Sequence, residues 1–327
     1  MTVKGIGFII TLGILLGSLA AQAQQTGNVY RIGFLGNSTA ALEANLVGAF
    51  REGLRDLGYV EGRNVLIEYR WAEGKYDRFP ALIGELLVPK VAVIVTAGTP
   101  ATLAVKKATP SVPIVMTAVG DPVGTGIVTS LSHPGGNITG LTAISTEMDA
   151  KRLELLREVV PSVSYIALLW NAGSPLQVLA EKQVQAAAQV LRMRVLSLGV
   201  KTEEEIKSAL AVMARERPDA LLVLADRLLL HHRALIMDFA TRHRLPGVHA
   251  YRELVEAGGL MSFGPSYADM HKRAAYFVDR ILKGAKPGDL PVERPRTFEL
   301  VINLKVARAL GLTIPQSVLL RGTEIIQ

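Results

Sequence analysis

Hydrophobic and polar positions along this chain switch repeatedly between two periods. VYRIGFLG is a short apolar run ending in glycine; a polar loop at Asn37, Ser38 and Thr39 follows, and from Glu43 to Leu57 the apolar residues Leu46, Phe50, Leu54 and Leu57 recur at helical spacing. The pattern predicts strand, loop, helix. The same grammar returns at Val65 to Trp71 with a helix at Phe79 to Leu87, at VAVIVTAG leading into PATLAVKKAT, and at IVMTAV leading into the glycine-rich stretch TAVGDPVGTGIVTSLSHPGGNITG. Val- and Ile-rich runs separated by helices are what a parallel sheet covered on both faces requires.

After NITGLTA the pattern starts again, with DAKRLELLREVVP as a helix and Tyr165 to Trp170 as a strand ending at Asn171. An amphipathic stretch from Gln177 to Arg192, the run RMRVLSLG, a helix from Glu203 to Arg215, the strand DALLVLAD and a helix from about His232 to His243 complete a second open α/β unit. GGLMSFG reads as one more strand and Asp269 to Leu282 as one more helix. Beyond Gly284 the proline-bearing KPGDLPVERP, the short strand FELVINL and the helix LKVARALGL are too small to stand alone, so they are expected to dock on a unit already built. A chain that crosses between two units more than once makes a hinge of parallel segments, which restricts motion to opening and closing.

Composition changes this picture at one end only. MTVKGIGFIITLGILLGSLAAQAQQ has one cation at Lys4, an apolar run of about 15 residues and the small-x-small site Ala21-Gln22-Ala23, which reads as a secretory signal peptide over 1–23. The run falls short of the ~20 residues needed to span a bilayer. With no cysteine anywhere, the chain has no lipidation site after the leader, no disulfide and no thiol chemistry, so an unlipidated, soluble periplasmic product is expected. The formal charge of +7 comes from 36 basic and 29 acidic residues that are interspersed, as in EGLRDLGYVEGR, without interleaved aromatics. That is a solvated surface rather than a nucleic-acid face.

The glycine-rich stretch invites a cofactor reading and fails it. GNSTAALEANL after the first strand lacks the G-x-G-x-x-G triad, GDPVGTG has neither the Walker spacing nor its Lys-Ser/Thr, and no cofactor is expected. The histidines form no H-x-x-x-H pair, and neither Ser38 nor Ser262 sits in a G-x-S-x-G elbow, so no metal site or nucleophile is predicted. Asp121 and Asp226 are the best acid-base pair available, though each reads equally well as a helix cap. What remains is a set of polar or turn-forming strand ends from both halves: Asn37-Ser38-Thr39, Gly98-Thr99, Gly120-Asp121, Asn171, Asp226 and Tyr251, with Trp170 before Asn171 and with Ser262 in GGLMSFG. Ligands of open α/β sheets bind at such carboxyl ends, and two facing edges would form a cleft offering hydroxyls, helix N-terminal amides and carboxylates. Ser38, Thr99 and nearby amides are expected to take an anionic group, and Asp121 or Asp226 an ammonium.

Four separated blocks in order carry a family resemblance. GTPATLAVKKATPSVPIVMTAVGDPVGTGIVTSLSHPGGNITG, LGYVEGRNVLIEYRWAEG, AGGLMSFGPSYADMHKRAAYFVDRILKGAKPGDLPVE and FELVINLKVARALGLTIP together resemble the periplasmic substrate-binding proteins of ABC transporters, in the family that includes the tryptophan-binding TrpX type. The resemblance runs from Tyr30 to the C-terminus. It implies a type I periplasmic-binding-protein fold: two doubly wound parallel-sheet lobes joined by a three-segment hinge, with lobe 1 at 29–143 and 265–286 and lobe 2 at 144–264 and 287–327. It also implies binding without catalysis of a small organic solute, an amino acid or related carboxylate, by a monomer that delivers it to a cognate ABC permease. An exported sensory protein, or an exported α/β enzyme using Asp121 and Asp226, are the alternatives. The first loop carries no aromatic ring, so stacking on a ligand is left to Trp71, Trp170, Tyr251, Phe263 or Tyr267.

Overall fold

The computed structural model describes residues 29–327, apart from the side chains of 145–147; the expected signal peptide lies outside the described residues. Twelve strands are labelled in chain order among the described residues: β1 Tyr30–Gly36, β2 Val65–Trp71, β3 Val93–Ala97, β4 Ile114–Val119, β5 Ile138–Thr142, β6 Tyr165–Asn171, β7 Arg194–Val200, β8 Ala220–Val223, β9 Val248–His249, β10 Met261–Pro265, β11 Phe298–Asn303 and β12 Glu324–Ile326. The first five form one parallel sheet in the order β2-β1-β3-β4-β5. β3 and β4 are buried at every residue, as strands covered on both faces must be. The sheet is doubly wound, and its order reverses next to β1.

The second half contains a three-stranded parallel sheet, β7-β6-β8, and a four-stranded sheet, β12-β11-β10-β9, that continues from it where Leu221 N donates to Pro246 O. The last part of the C-terminal tail, from β11 onward, docks here. It does so with a change of direction, because β11 runs antiparallel to β10 while β12 runs parallel to β11. The fold is thus mixed α/β with mainly parallel sheets, and each half has an apolar interior of its own kind: Ile94, Ile114, Met116 and Leu86 in the first, Leu168, Leu222, Val184 and Ile302 in the second.

The chain passes between the halves three times. After β5 it enters the Ser145–Val159 helix; after β10 it returns as the Tyr267–Leu282 helix, whose first turn is capped by Ser266 and whose apolar face packs on the Ala44–Asp56 helix and on β4; after Glu293 it crosses to β11. Assigning 287–293 to the second half from sequence does not match its packing. Val292 N donates to Leu131 O at 2.7 Å, Glu293 N to Gly140 O at 2.9 Å, and Leu290 O accepts from Thr139 Oγ1 at 2.7 Å, so this proline-rich stretch is held by backbone pairing to the first sheet. Arg273 clamps the third crossing by a two-pronged bond to Glu293, at 3.0 and 2.7 Å.

Candidate functional site

Because β1, β3 and β4 are parallel neighbours, their carboxyl ends lie side by side, and the loops that follow form one wall of a cleft. β6, β8 and β9 supply the other wall. In the first wall Glu43, at the start of its helix, turns a buried carboxylate back onto the β1 loop and accepts from Asn37 N at 2.8 Å and Ser38 N at 2.6 Å. Burial raises its pKa, with Arg227 and those two amides acting in the opposite direction. Asn37 donates Nδ2 to Ala97 O at 3.0 Å, which ties the β1 and β3 loops together and leaves its Oδ1 buried without a partner. Gly98 has φ +77, a left-handed conformation natural to glycine, and opens the Thr99–Ala108 helix with Pro100 in its first turn. Thr99 Oγ1 is buried and unpartnered.

In the second wall the chain leaves β8 at Asp226, which caps the short Arg227–His231 helix. Asp226 Oδ1 accepts from Leu228 N at 2.8 Å and from Asn171 Nδ2 at 3.0 Å, and from Tyr76 Oη, on the first wall, at 3.2 Å. Burial raises the Asp226 pKa against these donors and Arg227. Gln177 donates Nε2 to Ala225 O at 2.9 Å while its Oε1 stays unpartnered, as does Ser174 Oγ.

Arg227 is the dominant feature. Its side chain is nearly sealed, at 4 % exposure, and its guanidinium lies 5.3 Å from the ring centres of both Tyr251 and Tyr267. Nε and Nη2 are buried with no hydrogen-bond partner. Burial works against the charge, yet Tyr251, Glu43, Tyr267 and Glu253 together hold its pKa above the ordinary value, so the cation persists. A buried cation costs several kcal/mol unless it is paired and hydrogen-bonded, and orphaned donors on such a group mark a place where a partner belongs.

The two walls meet around a pocket lined by Gly98, Thr99, Pro100, Ala118 and Gly120 on one side and by Ser174, Leu176, Gln177, Ala225, Asp226, Arg227 and Tyr251 on the other. Of the residues expected from sequence, Gly98, Thr99, Gly120, Asp226 and Tyr251 line it. Asn171 stands behind Asp226 as its hydrogen-bond partner, Asn37 and Ser38 shape the adjoining loop, and Thr39 lines a separate, open pocket with Tyr76 and His231. Three others are placed elsewhere. Asp121 folds its carboxylate onto Gly124 N at 2.8 Å and holds the turn. Trp170 donates its indole N–H to Ser197 Oγ at 2.9 Å and packs on the second half's core. Ser262 lines a separate pocket with Ala250, Glu253 and Tyr267. Sequence reasoning missed Arg227, Ser174, Gln177 and the buried Glu43; the readable signal was an arginine directly after a strand-end aspartate and inside the apolar run ADRLLLHH.

A cleft of this kind, between two open α/β units joined by three crossings, defines a type I periplasmic-binding-protein architecture. The chain matches the family described as ABC transporter substrate binding protein over residues 38–326 and belongs to it. A tyrosine-binding protein of Clostridioides difficile (strain R20291) is 28% identical over 263 residues, covering 80% of this chain and 75% of that one. The crystal structure of the ABC domain from Streptococcus pneumonia in complex with L-Trp superposes with a TM-score of 0.85 at 28% identity, covering 92% of this chain and all of that one. The leucine-binding protein LivK of Thermotoga maritima shares the fold alone, with a TM-score of 0.57 at 14% identity over 86% of this chain and 87% of that one. The family consists of substrate-binding proteins, not enzymes, which disposes of the carboxylate-pair enzyme reading.

Proposed function

We propose that this protein is the extracytoplasmic binding component of an ABC importer, closing two lobes around a small amino acid, aromatic in its best-supported form, and presenting it to a membrane permease. The observation that carries the reading is Arg227: a buried cation in the cavity wall with two unpartnered nitrogens. A planar guanidinium presents paired donors that match a carboxylate in two-pronged fashion. Thr99 and Ser174 add hydroxyls, and Asn37 Oδ1, Gln177 Oε1 and Asp226 are acceptors for an ammonium. In this reading the anion partner is Arg227 rather than Ser38, whose hydroxyl lies 2.6 Å from His231 Nδ1.

The mechanism follows from the placement of these groups. In the open form the walls separate about the three crossings and the solute's carboxylate meets Arg227. Closure then brings the Gly98-Thr99 edge over it and removes the bound groups from water, where each hydrogen bond to a charged group counts for more. Ligand shifts the equilibrium only by binding the closed form more tightly. Wrong solutes are rejected by the buried polar groups that they leave unpaired. The relatives that bind tyrosine or carry L-Trp support an aromatic amino acid as the ligand, and Tyr251, with its ring beside Arg227, is the aromatic residue in the lining of this pocket.

Native mass spectrometry of the protein as purified, followed by thermal shift with L-tyrosine, L-tryptophan and other amino acids, tests this reading. A bound or stabilising amino acid is expected, since ligand at 100 times its Kd adds about 2.7 kcal/mol. No bound mass and no shift with any of them would contradict it.

A further inference from the structure

Outside the cavity the two walls touch again, and the contacts converge on one short element. Tyr76 follows β2 on the first wall and donates its hydroxyl to Asp226 Oδ1 at 3.2 Å; its ring is held in place by stacking on Phe79 with centres 5.0 Å apart. Five residues further along the second wall, His231 Nδ1 lies 2.6 Å from Ser38 Oγ. The same imidazole sits over Gly74, where φ is +76 and a Cβ would stand 2.7 Å from His231 Cδ2. Gly74 N donates to Asn37 O at 2.8 Å and Glu73 N to Ser38 O at 3.1 Å, so the loops carrying Ser38 and Tyr76 move as one body. Asp226, Arg227 and His231 likewise belong to one capped helical turn. Whatever positions Arg227 therefore positions both contacts.

We propose that Tyr76 and His231 form a latch, with Asp226 and Ser38 as its catches, that sets how long the cleft stays closed. This rests on the two-lobe reading above. Neither Tyr76 nor His231 lines the pocket around Arg227; both line a separate, open pocket between the two walls. Tyr76 supplies a hydrogen bond to a buried carboxylate, the stronger of the two contacts.

The His231 contact depends on protonation. Burial of the half-covered ring lowers its pKa, Arg233 on the following helix adds to this, and Glu203 from the second wall and Glu73 from the facing loop oppose it. His232 stands beside it at 4.7 Å between ring centres and is lowered too, mainly by burial; Lys75, Asp77, Lys201 and Glu204 complete the charged lining of the pocket that His231 faces. Opening withdraws Ser38 and Gly74 from the ring and returns it to water. The closed form thus binds fewer protons than the open one; it is favoured fully above the ordinary histidine value of about 6.5 and loses that advantage as pH falls below it.

Pulsed electron-spin distance measurement tests the latch. The chain has no cysteine, so Val88→Cys and Val190→Cys, at valines 81% and 82% exposed on opposite halves, take labels without background. The full labelled chain is measured with no added solute, with and without Tyr76→Phe or His231→Gln, at pH 7.5 and 5.5. Tyr76→Phe keeps the stacked ring and removes one oxygen, and is expected to cut the ratio of short to long distances about tenfold, as loss of one hydrogen bond to a carboxylate should. His231→Gln is expected to cut it about threefold and to abolish the drop that acid produces in the parent. Two distance populations that neither substitution nor pH redistributes would overturn the latch. One fixed distance throughout would overturn the hinged two-lobe reading and the latch with it.

Discussion

Two arginines are buried in the second half of this protein, and they are buried for opposite reasons. Arg152, at 0 % exposure on the Ser145–Val159 helix, forms an ion pair with Asp149 one turn away and donates Nε to Phe263 O at 2.7 Å. It ties the helix after the first crossing to the strand before the second. One of its nitrogens, Nη2, is unpartnered, but it lines no cavity described here. Arg227, at 4 % exposure, holds no carboxylate in a hydrogen bond, rests between two tyrosine rings and carries two unpartnered nitrogens in a cavity wall. Burial of a charge does not by itself mark a binding site. In the proposed function it is the missing partners and the adjoining space that single out Arg227.

The largest expected effect breaks the comparison at Arg152. Arg152→Met leaves Asp149 buried and uncompensated, and should cost about 3–5 kcal/mol of stability by denaturant unfolding, with Asp149→Leu in the same chain recovering most of it. Arg227→Met strands no hydrogen-bonded carboxylate but takes the counter-charge from buried Glu43, and is expected to cost less than Arg152→Met, about 1–2 kcal/mol.

Acid sharpens the same contrast through the histidine beside each arginine. Burial, reinforced by Arg152, lowers the His249 pKa to about 3; burial, reinforced by Arg227, lowers that of His271 to about 3, against a bond to Tyr267 O that pulls it up. Both fold neutral, so the stability they secure is complete above the unfolded value of 6.5 and is lost as pH falls towards 3. By pH 5 each should have cost about 2 kcal/mol. His249→Leu and His271→Leu should each flatten the acid limb of a melting-temperature profile. His271 has the more to lose, because its Nε2 lies 3.2 Å from Thr117 Oγ1 and its Nδ1 2.7 Å from Tyr267 O, whereas His249 Nδ1 has no partner.

Gly98→Ala should cost about 1–2 kcal/mol, since an L-residue there is strained at φ +77 and a Cβ would lie 3.3 Å from Arg227 Cγ. The loss should show in the affinity of the closed form as well as in unfolding. Asp121→Asn is the smallest effect: with its carboxylate spent on Gly124 N, ligand affinity should change by less than about twofold, within the ±0.5 kcal/mol usual away from special features.

Periodicity made most of the fold readable. Strands such as β3 and β4 show as unbroken apolar runs and helices such as Ala44–Asp56 carry enough residues for their period to show, and the carboxyl ends of the parallel strands pointed to Gly98, Thr99, Gly120, Asp226 and Tyr251. Three features lay beyond that signal. β9 has two residues and β12 three, too few for any period. Arg227 is followed by three leucines, so its surroundings read as core, and its role depends on Tyr251 and Tyr267, which are 24 and 40 residues away (251 − 227 and 267 − 227). Trp170 and Asn171 are adjacent on β6, where successive side chains point to opposite faces. Asn171 turns to Asp226 in the cleft wall, so Trp170 turns away.

In the proposed function Arg227 receives the carboxylate of the solute. Isothermal calorimetry with L-tyrosine and L-tryptophan, each beside its carboxamide, on the unsubstituted protein and on Arg227→Met tests it most directly. The account predicts that the protein binds at least one free acid, that its amide binds about 100-fold more weakly or not at all, and that Arg227→Met loses affinity for the acid by a similar factor while staying folded. Equal binding of acid and amide, or undiminished affinity in Arg227→Met, would contradict it.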